Sequence, residues 1–324
     1  MSTPQYLRKA SLIVGDDQEA IDLSELRFRF VVRRGDISTP NTAEIRVYNV
    51  APNTAQKLQK EFQRVVLQAG YGGNYGLIFD GSVIQIRRGR ESQTDTYVDI
   101  RAASGDAAYN FAFANCTVAA GTTFEQQIDK MLTYAKPFNV SKGYVPDLPQ
   151  TRLPRGKVVF DLIRESFDNL QSTLHGKWSI QDRHFNFIPL NSYIPGDPIE
   201  INAETGMVGM PEQTIGGLNV RTLLNPSVKI GHTIRINNAS IQDYRLSLSP
   251  GDKSNNDAAL NGVARKDADG LYYVMMADHY GDTRGNDWYS DLICLAVDAT
   301  YYTEEFTRRG VIRELDTGPV KPYG

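Results

Sequence analysis

The sequence predicts a mainly β protein, α+β overall, with two similar antiparallel β-barrel domains separated by an α+β insert. Two stretches of similar length, residues 70–103 and 270–296, each have the pattern of two strands joined by a charged turn. Between them, residues 106–190 carry apolar residues at helical spacing. The 17 Tyr and 27 Gly also fit a strand-rich chain with many turns.

The first stretch gives the clearest strand pattern. Val98, Ile100 and Ala102 alternate with polar residues, which is the two-residue period of a half-buried strand. In the preceding strand the apolar phase switches between Phe79 and Ile84, next to Gly81, which predicts a bulge at a barrel corner. The polar residues 87–95 are predicted to be the loop between the two strands.

The second stretch repeats this plan with different residues. It opens with Gly270 and an apolar strand, passes through a charged turn at residues 281–287, and returns through the apolar residues 288–296. The residue identities barely match, so the likeness is one of plan only. We therefore predict that the chain uses one β design twice.

The domain organisation follows from these patterns. A chain of 324 residues is long for one core, and at roughly 150 residues per domain it suggests two or three domains. We expect a first β-barrel over residues 1–105, an α+β insert with two helices and a hairpin over 106–190, a second β-barrel over 191–302, and an extended C-terminal arm over 303–324.

In the N-terminal segment, one helix interrupts the strands. Ala55, Leu58 and Phe62 recur at helical spacing after Pro52, and either Asn53 or Thr54 can cap the start of this helix. The predicted strands cover residues 6–14, 19–23, 26–33, 43–49 and 65–69.

The middle segment has the signals of two helices. Thr122 and Glu125 form a capping-box pattern at the start of a helix that Pro137 ends. A second helix is predicted from Val159 to Gly176. Residues 178–180 and 185–187 are predicted to be the strands of a small hairpin.

Strands return in the C-terminal segment. The predicted strands cover residues 207–210, 218–224, 233–236 and 241–248. The polar residues 250–269 are predicted to be an exposed loop, and residues 303–324 an extended arm with two prolines.

Composition excludes several classes of function. The formal charge of −3 supplies no basic field for binding duplex DNA. Cys116 and Cys294 are far apart in apolar surroundings, which favours free thiols over a disulfide or a metal site. There is neither a signal-peptide pattern at the N-terminus nor an apolar run long enough to span a membrane, so we expect a cytoplasmic protein with no membrane insertion.

No stretch predicts catalysis. The glycines of residues 70–76 resemble a dinucleotide-binding loop, but a strand follows them where that motif needs a helix. His279 lies among aspartates, yet Asp278 and His279 face opposite sides of a strand and cannot chelate together. Residues 267–270 match only the start of a calcium loop, and His175 is placed at a helix end. We therefore predict no catalytic, cofactor-binding or metal-binding residue and no enzyme.

Three small arginine clusters remain. They are Arg33 with Arg34, residues 87–90, and residues 308–313. Most such clusters are solvated faces, but arginines at strand ends can also pair with the acidic rims of neighbouring subunits.

Several stretches, in this order along the chain, carry a resemblance to a known family. They are residues 41–50, 70–72, 77–81, 205–209, 223–226 with Gly231, and 279–288. Through them the chain resembles the baseplate hub proteins of contractile-tailed bacteriophages, which are related in fold to the hub part of type VI secretion spike (VgrG-like) proteins. The stretches cover both β segments, whereas the insert matches mainly in its order of elements.

The resemblance implies a structural virion protein of the tail baseplate, assembled in the host cytoplasm. It implies a homotrimer that adapts the sixfold tail tube protein to the threefold central spike protein, with baseplate wedge and tape-measure proteins as further partners. DNA would pass through the channel without specific nucleic-acid binding. Some hub proteins carry or bind a lysozyme module, but nothing after Pro189 resembles one.

Two other functions stay open at this point. A carbohydrate-binding or carbohydrate-acting tail protein would use aromatic residues such as Tyr272, Tyr280 and Trp288 in loops. A type VI secretion spike hub is the other, and the lack of a spike-like β-helix repeat after the hub region makes it less favoured.

Overall fold

A computed structural model describes residues 6–16, 18–60, 63–190, 192–214, 217–237, 241, 270–297 and 321–322. The predicted loop at residues 250–269 and nearly all of the predicted strand at 241–248 and arm at 303–324 lie outside these residues. The mainly β class is confirmed.

The elements of the N-terminal segment and the insert follow in chain order. The first segment contains β1 (Arg8–Gly15), β2 (Ala20–Asp22), β3 (Phe28–Gly35), β4 (Thr42–Tyr48), α1 (Pro52–Lys60), β5 (Arg64–Tyr71), β6 (Asn74–Arg90) and β7 (Thr96–Ala103). The insert contains α2 (Asp106–Phe111), β8 (Phe113–Val118), α3 (Phe124–Ala135), a 3-10 turn (Lys136–Phe138), β9 (Ser141–Lys142), β10 (Lys157–Leu162), α4 (Ile163–Leu174), β11 (Gly176–Gln181) and β12 (His184–Pro189).

The C-terminal segment is again made of strands among the residues described. It contains β13 (Ser192–Tyr193), β14 (Ile199–Glu200), β15 (Glu212–Thr214), β16 (Gly217–Leu223), β17 (Thr233–Arg235), β18 (Leu271–Asp282), β19 (Trp288–Ala296) and β20 (Lys321–Pro322).

Each β segment contains a five-stranded unit with the same topology. The N unit consists of β3 to β7, in the spatial order β3-β4-β7-β6-β5, and the C unit consists of β15 to β19, in the order β15-β16-β19-β18-β17. All neighbours within each unit are antiparallel. Strands numbered one to five along the chain therefore lie in the order 1-2-5-4-3 in both units.

The two units share one sheet. β3 pairs antiparallel with β18, which joins the N unit to the C unit inside a 13-stranded sheet. The strand pairs among the described residues do not close either unit into a ring, so barrel closure stays a prediction. The sheet carries two main apolar cores, one under each unit, and Leu224 and Trp288 of the C-terminal segment pack into the N-terminal core.

Both units also have a bulge at the same place. The register of β6 against β7 shifts between Val83 and Gln85, and that of β18 against β19 shifts between Val274 and Met276. The bulge predicted between Phe79 and Ile84 lies at the end of that stretch, at Ile84, three residues after Gly81. Gly81 itself is a close approach, because a Cβ there would lie 2.6 Å from the carbonyl oxygen of Ala103.

The hairpin strand β6 is longer than predicted. The loop expected from residue 87 begins only after Arg90, because the polar residues before it still pair with β7. Polar side chains are compatible with a strand whose outer face meets solvent.

The insert has its own core of buried residues from its helices and strands. The capping box of α3 is formed by Thr123 and Gln126, one residue later than predicted. The predicted second helix was wrong in its first turn, because residues 157–162 form β10 and pair with β8. Val158 and Phe160 are exposed while Val159 is buried, which is the strand period.

The predicted hairpin of the insert is confirmed as β11 and β12. In the C-terminal segment, the predicted strand at residues 207–210 is only a bridge from Met207 to Thr222.

Candidate functional site

The residues considered for chemistry form no reactive centre among those described. His279 is buried on β18 and its Nδ1 lies 2.7 Å from the Ser290 hydroxyl. Burial, aided by the positive charges of Arg34 and Lys229, lowers the pKa of His279 to about 3. In the part of the chain that the structure covers, no group of three or more His, Cys, Asp or Glu side chains could hold a metal ion.

The other candidate motifs have structural roles. Residues 70–76 form the ends of β5 and β6 and the turn between them. Cys116 and Cys294 are free thiols, and burial raises the pKa of Cys294. Tyr272 and Trp288 are buried in strands, so the interpretation of these residues as loop aromatics for carbohydrate was wrong. Among the described helices, none is long and apolar enough to cross a membrane.

On the outer face of the N unit, an arginine of one strand contacts an aspartate and a tyrosine of the neighbouring strand. Arg46 of β4 lies opposite Asp99 of β7 in the register, and its guanidinium donates two hydrogen bonds to that carboxylate, at 2.6 and 3.0 Å. The guanidinium carbon also lies 3.9 Å from the centre of the Tyr97 ring. This Arg–Asp–Tyr cluster fixes β4 against β7 by charge, geometry and a cation–π contact.

The C unit carries the same cluster at the corresponding positions. Arg221 of β16 lies opposite Asp291 of β19 and donates two hydrogen bonds to it, at 2.7 and 2.8 Å. Its guanidinium carbon lies 4.5 Å from the centre of the Tyr289 ring. The two units therefore agree in strand order, in bulge position and in one side-chain constellation. The sequence interpretation missed this agreement, because only the register places these residues together.

The seam between β3 and β18 brings complementary side chains together. Arg33 lies opposite Asp278 in the register. Across the same seam Phe30 meets the Trp288 ring edge-on at 5.7 Å, and the Trp288 indole N–H donates to the Gly70 carbonyl at 3.2 Å. The seam is thus an apolar and polar contact between the units, not only a strand pair.

A charge cluster lies where the insert meets both units, with Arg34 buried and its two partners partly buried. Arg34 of β3 donates to Asp182 at 2.7 Å and to the Ile78 carbonyl at 3.1 Å. Lys229 of the C-terminal segment lies 3.8 Å from the same carboxylate and donates to the Leu77 carbonyl at 2.9 Å. We call Arg34, Asp182 and Lys229 the junction cluster, because each comes from a different segment of the chain.

In the junction cluster, the pKa values of Asp182 and Lys229 depend on the neighbouring charges. Burial alone would raise the pKa of Asp182, but Arg34 and Lys229 outweigh it and hold that pKa below its usual range. Burial and the neighbouring Arg34 lower the pKa of Lys229. A buried charge that loses its partner is costly, so this cluster links the three segments.

A second set of hydrogen bonds supports the same junction. Lys177 of β11 lies 2.6 Å from the Asp36 carboxylate, and the Tyr273 hydroxyl donates to the same oxygen at 2.8 Å. Gln181 donates to the Gly35 carbonyl at 2.7 Å and accepts from Asn41 at 2.6 Å. These bonds fix the hairpin of the insert to the N-terminal segment, and Asp36 in turn links it to Tyr273 of the C unit.

The comparisons with known proteins concern the fold. Neither the sequence models of protein families nor the curated proteins gave a match. A 43 kDa tail protein of prophage MuSo2 from Shewanella oneidensis is similar in structure, with a TM-score of 0.53 and 7% identity, over 88% of this chain and 97% of that protein. A tail protein from Neisseria meningitidis MC58 is similar with a TM-score of 0.53 and 8% identity, over 90% of this chain and 97% of that one.

A secretion protein shares the fold as well. It is an E. coli component of the type VI secretion system that is itself structurally similar to the T4 bacteriophage tail proteins gp27 and gp5. Its TM-score is 0.53 at 11% identity, over 90% of this chain and 77% of that protein. At these identities the likeness shows the fold, and the predicted relation in fold to tail and secretion spike proteins is confirmed.

Proposed function

We propose that this protein is a structural baseplate hub of a phage tail, which forms a homotrimer and adapts a sixfold tail tube to a threefold central spike. The observation that carries the proposal is the pair of units with one strand order, one bulge position and one Arg–Asp–Tyr cluster. The fold it shares with phage tail proteins supports the same function.

The physical argument is one of symmetry. Two like units per chain become six like units in a trimer, so a threefold assembly presents a nearly sixfold ring. Such a ring docks against a sixfold tube on one side and a threefold spike on the other. The junction cluster contributes rigidity, since it fixes both units and the insert relative to one another.

The proposed partners are those that the symmetry requires. They are a tail tube protein, a central spike protein, and wedge and tape-measure proteins around and inside the ring. DNA passes through the channel without specific binding, and no enzymatic activity is part of the proposal. The protein acts in the virion tail after assembly in the host cytoplasm.

The oligomeric mass tests the proposal. Mass photometry of the purified chain is expected to give a species of three chain masses, and negative-stain images are expected to show a ring with a central hole. With the tail tube protein encoded beside it, the ring is expected to bind one end of the tube. A protein that stays monomeric at high concentration and binds neither tube nor spike overturns the proposal.

A type VI secretion spike hub is the second candidate, because a component of that system has the same fold. The two candidates make the same trimer but bind different tubes. Binding to the tube protein of a secretion system, without binding to a phage tail tube, would select this second function.

A further inference from the structure

The fourth strands of the two units, β6 and β18, differ in the pairing of one edge. In the C unit, the edge of β18 that faces away from β19 pairs with β3 from Met276 to Asp282. In the N unit, β5 pairs with β6 only as far as Ser82, and beyond Val83 that edge of β6 has no strand partner among the described residues. Within the described part of the chain, the edge from Gln85 to Arg90 therefore presents backbone donors and acceptors that no strand uses.

The two bulges show which residues of β6 and β18 occupy equivalent positions in the two units. Counting from the bulge, Val83 corresponds to Val274 and Gln85 to Met276. Arg87 then corresponds to Asp278, the residue that lies opposite Arg33 at the seam. The open edge of β6 is thus the counterpart of the β18 edge that β3 covers.

The equivalent positions of β3 and β15, the first strands of the two units, follow from the strands with which they pair, β4 and β16. Arg46 and Arg221 mark the same position on the second strand, so Thr42 corresponds to Gly217. Arg33 pairs with Thr42, and Thr214 pairs with Gly217. Thr214 of β15 is therefore the counterpart of Arg33 of β3. The outer edge of β15 is the end of the main sheet's strand order and has no partner in the described chain.

We propose that β15 of one copy of this chain pairs antiparallel with the open edge of β6 in a second copy, in the register of the internal β3–β18 seam. Thr214 then lies opposite Arg87, Gln213 opposite Arg88, and Glu212 opposite Gly89. The pairing rests on the proposed function, because it is the contact that joins one chain's C unit to the next chain's N unit.

Side chains at the two edges are complementary. Arg87, Arg88 and Arg90 are all exposed on β6, and Glu212 is exposed on β15. In the proposed register Glu212 is a diagonal neighbour of Arg87 on the outer face, and opposite charges at such positions stabilise a sheet. The seam inside the chain also places an arginine opposite an acid, Arg33 opposite Asp278.

An exposed apolar side chain at the bulge of β6 supports the same pairing. Ile84 is 56% exposed, whereas its counterpart Met275 is partly buried and its carbonyl accepts a hydrogen bond from the Asp36 backbone N–H at 3.1 Å. An apolar residue at an open strand edge favours association with another chain. The contact is head-to-tail, so its repetition generates a ring if the rotation closes.

Cysteine cross-linking between two differently tagged copies tests the pairing. One copy carries Arg87→Cys and the other Thr214→Cys, both in a Cys116→Ser background, and the two are co-expressed and oxidised. Residues directly opposite in an antiparallel pair have Cα atoms about 4.5–5.5 Å apart, within the range of a disulfide. We expect a disulfide-linked dimer from the mixture and none from either variant alone.

The matched control moves one cysteine by one residue. Arg88→Cys with Thr214→Cys places the two thiols on opposite faces of the sheet, so we expect at least a tenfold lower yield of cross-linked dimer. A trimeric mass without the Arg87–Thr214 cross-link, or with the control cross-link stronger, overturns the pairing while the hub function stands. A monomeric mass at every concentration overturns both.

Discussion

The N unit and the C unit have one strand order but different surroundings. Both have the order 1-2-5-4-3, the bulge in the fourth strand and the Arg–Asp–Tyr cluster. They differ beside the third strand, where β5 has an antiparallel neighbour in β1 and β17 a parallel one in β14. They differ again at the fourth strand: β3 pairs with its free edge in the C unit, whereas in the N unit no strand of the described residues pairs with that edge beyond Val83.

The difference separates what builds a unit from what joins units. The shared features lie on the second, fourth and fifth strands and hold each unit together. The unshared ones lie at the edges, where His279 of the C unit is 1% exposed and its counterpart Arg88 of the N unit is exposed.

The largest effect is expected from breaking the junction cluster. Arg34→Met leaves the largely buried Asp182 carboxylate without its closest partner but with Lys229 still 3.8 Å away, so we expect a loss near the lower end of the about 3–5 kcal/mol that removal of one member of a buried ion pair costs. Denaturant unfolding at fixed protein concentration measures the loss. Arg33→Met is the control, because its side chain is 52% exposed and should change stability by less than about 1 kcal/mol. Equal losses in the two variants would contradict a special role for the junction.

The next effect is a pH dependence of the free energy of unfolding, which His279 of the C unit causes. The folded-state pKa of His279 is lowered to about 3 from 6.5, so below pH 6.5 the unfolded chain binds a proton that the folded chain does not. Stability should therefore fall as the pH decreases from 6.5 towards 3, by about 1.4 kcal/mol per pH unit for this one proton. His279→Gln should remove that slope. An unchanged slope in the variant would show that other groups cause it.

The fourth strands differ in how tightly a glycine is packed. A Cβ on Gly281 of β18 would lie 2.3 Å from the buried Phe30 ring, so Gly281→Ala should cost about 1–3 kcal/mol by overpacking. A Cβ on Gly89 of β6 would meet the outer end of the Tyr97 ring at the same distance, but that ring is only half-buried and can shift at the expense of part of its contact with Arg46. We expect Gly89→Ala to cost no more than about 1 kcal/mol in thermal unfolding. A larger loss in Gly89→Ala than in Gly281→Ala would reverse the comparison.

Local patterns predicted many of the elements. The alternation of Val98, Ile100 and Ala102 predicted β7, and all three are buried. The helical spacing before Pro137 predicted α3. Val159 was misassigned because its apolar neighbours fit both periods, and only pairing with β8 selects the strand.

Contacts between distant segments were beyond the sequence. A strand's alternation shows that one face is buried but not which strand lies beside it, so the β3–β18 seam could not be derived. Arg34 was grouped with Arg33 in a cluster expected to face solvent, but it lies on the same inner face of β3 as Phe30 and Val32, where Asp182 of the insert pairs with it. No candidate site was predicted, and the Arg–Asp–Tyr clusters follow from register alone.

The smallest effects compare the two Arg–Asp–Tyr clusters directly. Arg46 is 24% exposed and Asp99 14%, whereas Arg221 and Asp291 are 51% and 35% exposed. Solvent screens the second pair more, so we expect Arg46→Met to cost about 1.5 kcal/mol and Arg221→Met about 0.5 kcal/mol. Arg46→Lys keeps the charge but loses the two-pronged hydrogen bond, and it should recover less than half of the loss. Chemical denaturation of the variants at low and high salt would check this, because only the Arg221 effect should vanish at high salt. Equal costs would mean that burial does not distinguish the two clusters.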